Sequence, residues 1–215
     1  ILPVRIQRFA LAHKVRSVQN PHDNFGYVRQ IMTTAIMIGD APLKLDQLRA
    51  VLHGPVSITL SDTAWQAVDK GAQIIARIIS EGRTVYGVNT GFGLLANTSI
   101  ASEDLETLQK NLVLSHACGV GAPLSEGVTR LLMVLKIASL SRGASGIRRE
   151  TLETLIALAN ADILPVIPSK GSVGASGDLA PLAHMSCVLI GVGEARSNGQ
   201  YLDATAALAR AGQIG

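Results

Sequence analysis

The sequence predicts a mainly α-helical chain with a few short strands and a glycine-rich loop. Apolar residues recur at helical spacing in several stretches, and Gly or Pro separates these stretches. Aromatic residues make up only 3% of the 215 residues, which argues against a sandwich with an aromatic core. With 47% hydrophobic and 16% charged residues, the chain is not a disordered one. Charge, Gly or Pro interrupts every apolar stretch well before about 18 residues, so no membrane span is expected.

Local signals at the helix ends support the helical stretches. Gly54 and Pro55 close the first helix, Ser61 or Asp62 caps the second, and Asp203 starts the last. Asp178 is placed to cap the helix that follows the second glycine-rich segment. The predicted helices cover residues 43–52, 63–80, 102–114, 126–141, 148–162, 179–189 and 204–211. In the second helix, the apolar residues Ala67, Ile74, Ile75, Ile78 and Ile79 form a stripe at helical spacing.

The remaining segments are predicted as strands and loops. Residues 56–62 alternate like a short strand, and residues 84–95 form a glycine-rich loop. Residues 163–178 are expected to be irregular, because two prolines there forbid a helix and three glycines permit tight turns. Asn198-Gly199 predicts a hairpin turn.

The positive charge is concentrated in the first segment. Residues 1–31 hold five of the 19 basic side chains and one of the 16 acidic ones, so residues 32–215 hold 14 basic and 15 acidic ones. We therefore expect residues 1–31 to be an upstream, non-native or targeting segment, and 32–215 to be part of one catalytic domain. The balanced charge of residues 32–215 does not support nucleic-acid binding. The last residues do not resemble a natural terminus, so a cut chain is expected.

The two cysteines indicate a reducing compartment. Cys118 and Cys187 lie far apart in apolar contexts without metal-ligand spacing, and both are expected to be small buried residues. We expect a cytoplasmic protein without a metal or a membrane partner.

Residues 171–181 (GSVGASGDLAP) admit three interpretations. They could connect two helices, or they could cradle a phosphate at a helix N-terminus, although the spacing fits neither the P-loop nor the dinucleotide fingerprint. Alternatively, Ala175-Ser176-Gly177 could react with itself. The amide nitrogen of Gly177 would attack the carbonyl carbon of Ala175, where a Cβ would obstruct the approach, and water would leave. Dehydration of Ser176 would then leave 4-methylidene-imidazol-5-one, an electrophile that makes ammonia a good leaving group.

The same tripeptide occurs a second time as Ala144-Ser145-Gly146. It lies between two predicted helices and lacks the flanking glycines and prolines of the later copy. We interpret it as a turn in which Ser145 caps the next helix. The flanking sequence, rather than the tripeptide itself, therefore identifies the reactive copy.

Four motifs together resemble the aromatic amino acid ammonia-lyases, and among them most closely the histidine ammonia-lyases. They are YGVNTGFGLL, LVLSHACGVGAP, LKIASLSRGASGIR and GSVGASGDLAPLAHM, which occur in the expected order between residues 32 and 215. The resemblance implies the N-terminal part of the helical ammonia-lyase (aspartase/fumarase-like) fold. It also implies non-oxidative deamination of L-histidine to urocanate, the first step of histidine degradation, with no external cofactor.

The resemblance also implies roles for single residues. Ala175, Ser176 and Gly177 form the ring, and Asp178 supports its formation or simply caps the helix. Tyr86 is the base, because an ionised phenol in a dry site can take a weakly acidic proton from the β-carbon. His116 selects the substrate, since an imidazole substrate needs polar partners. Ser115 before it is typical of the enzymes that act on histidine.

Other residues near these motifs receive structural roles. Asn89 and Gly93 are expected to shape the Tyr86 loop, and His184 is expected to be structural. The family's further site groups lie downstream of this chain, and its members are homotetramers whose sites combine three chains. This chain alone is therefore expected to be inactive. The alternatives are a phenylalanine or tyrosine ammonia-lyase or an aminomutase, or an inert helical or nucleotide-binding module without the ring.

Overall fold

Seven helices and seven short strands form the part of the chain that the structure describes. The structure is a computed structural model, and it describes residues 33–90, 100, 104–173 and 179–212. The helices are α1 (Leu45–His53), α2 (Asp62–Ser80), α3 (Leu105–His116), α4 (Glu126–Leu140), α5 (Arg149–Asn160), α6 (Leu179–Leu189) and α7 (Ala204–Arg210). The strands are β1 (Thr34–Ile38), β2 (Val56–Leu60), β3 (Val120–Pro123), β4 (Leu164–Pro165), β5 (Pro168–Lys170), β6 (Glu194–Ser197) and β7 (Gln200–Asp203).

The strands form three small sheets. Parallel β1 and β2 are joined through α1, while β3 pairs with β5 and β4-β6-β7 form a third, antiparallel sheet. β1 and β3 were not predicted, and the segment 163–178, which was expected to be irregular, contains β4 and β5. Proline fits both strands because Pro165 lies on an edge strand and Pro168 is the first residue of β5.

Helix α5 lies at the centre of the core. It contacts β2, α2, α4, α6 and α7, and three of its side chains, Leu152, Leu155 and Leu158, are almost completely buried on one face. Met133 and Ile137 of α4 belong to the same cluster. The carboxamide of Asn160 at the end of α5 accepts from the amide of Ile58 and donates to its carbonyl, so α5 is also tied to β2.

Several predicted capping and turn signals are confirmed. Ser61 caps α2 by accepting from the amide of Ala64, and Asp203 caps α7 by accepting from the amide of Ala206. Asn198 and Gly199 have φ values of 51° and 73°, the positive values that a tight hairpin turn between β6 and β7 requires.

The apolar stripe predicted on α2 lies on a helix, but its second half is not part of the core. Ile74 is exposed and Ile75, Ile78 and Ile79 are only half-buried, whereas Ala64, Val68 and Gly71 are buried. Gly71 rather than Ile74 faces the core because the carbonyl oxygen of Gly143 packs directly against it. The apolar face of the last two turns of α2 therefore remains largely uncovered within the described residues.

Two further predictions are wrong. Cys118 is exposed, and only Cys187 is buried, because Cys118 lies on the turn that leaves α3. Ser145 does not cap α5, whose N-cap is Arg148. The Ser145 hydroxyl instead accepts from the amide of Ile147, 3.3 Å away, inside the preceding turn.

No helix within the described part of the chain is both long and apolar enough to cross a membrane.

Candidate active site

Tyr86 lies on the loop that follows α2, and Asn89 organises that loop. The Asn89 side chain, only 4% exposed, accepts from the amide of Val85 at 2.7 Å and donates to the carbonyl of Arg83 at 2.8 Å. Thr90, fully buried, accepts from the amide of Gly87 at 3.2 Å. The predicted shaping role of Asn89 is thus confirmed, while Gly93 lies outside the described residues.

Tyr86 is 62% exposed in this chain. A dry environment for its phenol was expected. The described residues do not supply one.

Helix α3 connects the Tyr86 loop to His116. Gln109 donates from Nε2 to the carbonyl of Val88 at 3.0 Å, and His116 is the last residue of the same helix. Sequence reasoning missed Gln109. The spacing of Gln109 and His116 could have indicated it, because residues seven positions apart lie on the same face of a helix.

The imidazole of His116 is oriented by its own helix. Nδ1 lies 2.7 Å from the carbonyl oxygen of Leu112 and 3.2 Å from Oγ of Ser115. A carbonyl oxygen only accepts, so Nδ1 carries the proton in this contact and Nε2 is the basic nitrogen of the neutral ring. The hydroxyl of Ser115 donates to the same carbonyl at 3.1 Å. Both side chains therefore hydrogen-bond to the backbone of the last turn of α3.

The ring-forming residues Ala175, Ser176 and Gly177, together with Asp178, lie outside the described residues. The segments on either side of them are described. β5 ends at Lys170, which is paired with Val120 of β3, and α6 begins at Leu179. The β3–β5 pair therefore brings the corner after His116 beside the chain that leads to the tripeptide.

His184 of α6 makes the structural contact expected of it. Its Nε2 accepts from the amide of Gly119 at 3.0 Å, and burial lowers the pKa of its imidazole. Cys187 lies one turn later on α6, where burial raises the pKa of its thiol. Both side chains line a cavity of about 390 Å³ between the end of α3, β5 and α6, together with Glu194 and apolar residues.

A larger cavity, about 720 Å³, lies elsewhere, at the carboxyl ends of β1 and β2. Asp40, whose pKa is lowered by hydrogen bonds from Thr63 and Ser61, lines it together with Arg142. None of the predicted site residues lies in this cavity, so size alone does not identify the site. No cluster of metal-ligating side chains occurs among the residues that the structure describes.

The second tripeptide, Ala144-Ser145-Gly146, forms the turn between α4 and α5. Gly143 and Gly146 have φ values of 71° and 69°, which glycine adopts without strain. The turn packs against α2, and a Cβ on Gly146 would lie 2.2 Å from Cγ1 of Ile75. Its position between two helices agrees with the interpretation as a connecting turn.

Comparisons with known proteins agree on one family. The family model described as aromatic amino acid lyase matches residues 43–213. The chain is 58% identical over 179 residues to the histidine ammonia-lyase of Pseudomonas fluorescens, covering 83% of this chain and 35% of that protein. It is 57% identical over 177 residues to the histidine ammonia-lyase of Vibrio cholerae, covering 82% of this chain and 35% of that protein.

Solved structures show the same relationship. The histidine ammonia-lyase of Trypanosoma cruzi superposes with a TM-score of 0.75 at 34% identity, covering 84% of this chain and 34% of that one. A phenylalanine aminomutase of Pantoea agglomerans superposes with a TM-score of 0.76 at 34% identity, covering 85% and 35%. The chain thus spans about a third of the length of the relatives it matches.

Proposed function

Because the chain belongs to the aromatic amino acid lyase family, we propose that it is part of a histidine ammonia-lyase. Such an enzyme removes ammonia from L-histidine without oxidation and releases urocanate, the first step of histidine degradation. The observation that carries this proposal is the identity of 58% over 83% of the chain to a histidine ammonia-lyase. His116 at the end of α3 supports the same substrate, because an imidazole substrate needs polar partners and the helix fixes the orientation of this ring.

The electrophile of the reaction would be 4-methylidene-imidazol-5-one, formed from Ala175-Ser176-Gly177 and supported by Asp178, with no external cofactor. When present, this group withdraws electrons from the substrate and lets ammonia depart. The described flanks fit a tightly closed segment. Gly171, with φ +148°, approaches α6 so closely that a Cβ there would lie 3.0 Å from Cβ of Ala180.

Tyr86 would accept the β-proton of the substrate at its phenolic oxygen. The hydrogen bonds of Asn89 and Gln109 hold its loop against the helix that ends in His116, so base and selecting residue belong to one connected unit. His116 would bind the substrate imidazole, with its ring orientation set by the carbonyl of Leu112.

The complete enzyme would be a cytoplasmic homotetramer whose sites combine several chains. The exposed Ile74 and the half-buried Ile75, Ile78 and Ile79 support this part of the proposal, because they leave an apolar face on α2. The 62% exposure of Tyr86 supports it as well, since a base that works without water needs cover from elsewhere. By itself, this chain would be inactive.

The two identical tripeptides provide a matched test in a full-length protein that contains this chain. Ser176→Ala should lower urocanate production by several orders of magnitude, because no hydroxyl remains to be eliminated. Ser145→Ala should leave the activity intact. It removes one exposed hydrogen bond to the amide of Ile147, so its stability cost should stay at or below about 1 kcal/mol.

Intact mass and product identity complete the test. The measured mass of the wild-type chain should be lower than the mass calculated from its sequence by two water molecules. The Ser176→Ala chain should not show that loss. A wild-type chain of unchanged mass would refute the electrophile. Cinnamate or coumarate as the main product would instead favour a phenylalanine or tyrosine ammonia-lyase. A β-amino acid would favour an aminomutase, like the phenylalanine aminomutase that this chain also resembles.

A further inference from the structure

Three separate segments meet at Gly119 and leave little room for a side chain. A Cβ on Gly119 would lie 3.1 Å from Nε2 of His184 and 3.2 Å from the carbonyl oxygen of Lys170. Contacts of that kind are tighter than carbon atoms normally make, so only glycine fits unless its neighbours move. The corner that follows His116, the end of β5 and the second turn of α6 are therefore in direct contact.

Gly171 makes the matching contact from the other side. A Cβ there would lie 3.0 Å from Cα of Gly119 and 3.0 Å from Cβ of Ala180. Gly171 and Ala180 stand on either side of the ring-forming tripeptide in the sequence. Gly171, before the tripeptide, and Ala180, after it, therefore lie next to each other, and Gly119 contacts Gly171 at the same place. We call Gly119, Lys170, Gly171, Ala180 and His184 the Gly119 junction.

We propose that His184 is a positioning residue that closes the Gly119 junction and so aligns the His116 corner with both ends of the ring-forming segment. This inference rests on the proposed function, since it assigns His184 a task in that same site. The hydrogen bond from the amide of Gly119 to Nε2 of His184, 3.0 Å long, is a directional bond between the corner and α6.

The chemistry of His184 suits this task. Nε2 can accept from an amide only when it is unprotonated, so the ring must be neutral with its proton on Nδ1. Burial lowers the pKa of the imidazole and favours that form. Glu194 and Cys187 line the adjacent cavity.

The close approach of Gly119 to His184 and the hydrogen bond between them depend on each other. A residue larger than glycine at position 119 would push the imidazole away, and an apolar residue at position 184 would leave the Gly119 amide without its acceptor. Either change would let the corner move relative to α6. Because reacting groups tolerate little displacement, a shift of about 1 Å can reduce a rate about 100-fold.

The test compares His184→Leu with His184→Gln in a full-length protein that contains this chain. Glutamine keeps an acceptor near the position of Nε2, while leucine removes it. The control is Ser186→Ala on the same helix, because Ser186 bonds only to the carbonyl of Leu182 within α6. The readouts are the thermal midpoint, the fraction of chains that have lost two water molecules, and kcat for histidine.

We expect His184→Leu to fold but to show a several-fold lower dehydrated fraction and a kcat about 10- to 100-fold lower. His184→Gln should recover most of both, and Ser186→Ala should match the wild type. Wild-type dehydration and kcat in His184→Leu would overturn the inference. So would a His184→Leu protein that does not fold while His184→Gln does, because the bond would then serve global stability. A wild-type chain without any mass loss would instead refute the proposed function.

Discussion

Asn89 shows how one buried amide can determine the course of a loop. It satisfies a backbone donor on Val85 and a backbone acceptor on Arg83 at once, and it is only 4% exposed. No helix or strand provides these bonds, so the loop that carries Tyr86 depends on a side chain for its shape.

We predict that Asn89→Ala lowers the free energy of unfolding by about 1–3 kcal/mol, because two backbone groups lose their partners in a half-buried loop. The amide of Val85 should also exchange its hydrogen faster. Urea denaturation and hydrogen exchange would measure both effects. Asn111→Ala, on the exposed surface of α3, is the control and should change stability by less than about 0.5 kcal/mol. Equal effects of the two substitutions would contradict the role of Asn89.

At the scale of elements, glycines decide how closely α2 packs against the turn after α4. Gly71 lies in the middle of α2, where a Cβ would be 2.1 Å from the carbonyl oxygen of Gly143. Alanine is the better helix former by about 1 kcal/mol, but a clash with backbone cannot be relieved by a rotamer change.

Gly71→Ala should therefore destabilise the protein by a net amount of about 1–3 kcal/mol, despite its higher helix propensity. The same substitution at Gly54 is the control, because Gly54 has extended backbone and no atom within 4 Å of a Cβ. Gly54→Ala should be neutral or slightly stabilising. Chemical denaturation of both variants decides the matter, and a stabilised Gly71→Ala protein would contradict the close packing.

The contact of α6 with the His116 corner should make stability depend on pH. The pKa of His184 is lowered from 6.5 by burial, so the unfolded chain binds a proton at a higher pH than the folded chain does. The contribution of His184 is thus fully present above about pH 6.5 and is lost as the pH falls through the lowered pKa. Glu194, which lines the same cavity, is the acidic group that faces this site from β6.

We expect His184→Gln to lose less stability than the wild type when the pH falls from about 7.5 to about 5.5. Urea midpoints of the two proteins at both pH values would show it. His53→Gln, at the exposed end of α1, is the matched control. Parallel pH dependences of the wild type and His184→Gln would show that the hydrogen bond to Gly119 does not discriminate between protonation states.

At the scale of the whole molecule, Arg130 links the start of α4 to the end of α5. It is bound to both carboxylate oxygens of Asp162 and to Glu126, and its side chain is only 10% exposed. These carboxylates raise the pKa of the guanidinium. Asp162 has a φ of 50°, so the chain reverses after α5 in a conformation that the ion pair helps to hold.

Arg130→Met should lower the free energy of unfolding by about 1–4 kcal/mol. That range lies between the ~1 kcal/mol of an exposed pair and the ~3–5 kcal/mol of breaking a fully buried one. Asp162 is 22% exposed and Glu126 44%, so water screens part of the loss. Arg49→Met removes an exposed pair with Asp46 and serves as the control. If Arg130→Met cost no more than Arg49→Met, the link between α4 and α5 would be unimportant.

Sequence by itself determined the features that are decided within a few residues. The caps at Ser61 and Asp203 and the hairpin at Asn198-Gly199 depend on residues that act on their own or adjacent backbone. The family could also be recognised from the sequence, because its motifs are contiguous stretches that follow one another in a fixed order along the chain.

Only the tertiary structure decided which surfaces these elements share. The parallel partner of β2, the partial exposure of the second half of α2 within the described residues and the exposure of Cys118 depend on neighbours distant in sequence. The contact between Gly119 and His184 joins residues 65 positions apart. Helical and strand periods tell which residues lie on one face. They do not tell what packs against that face, because packing is settled by the closest fit among all elements at once.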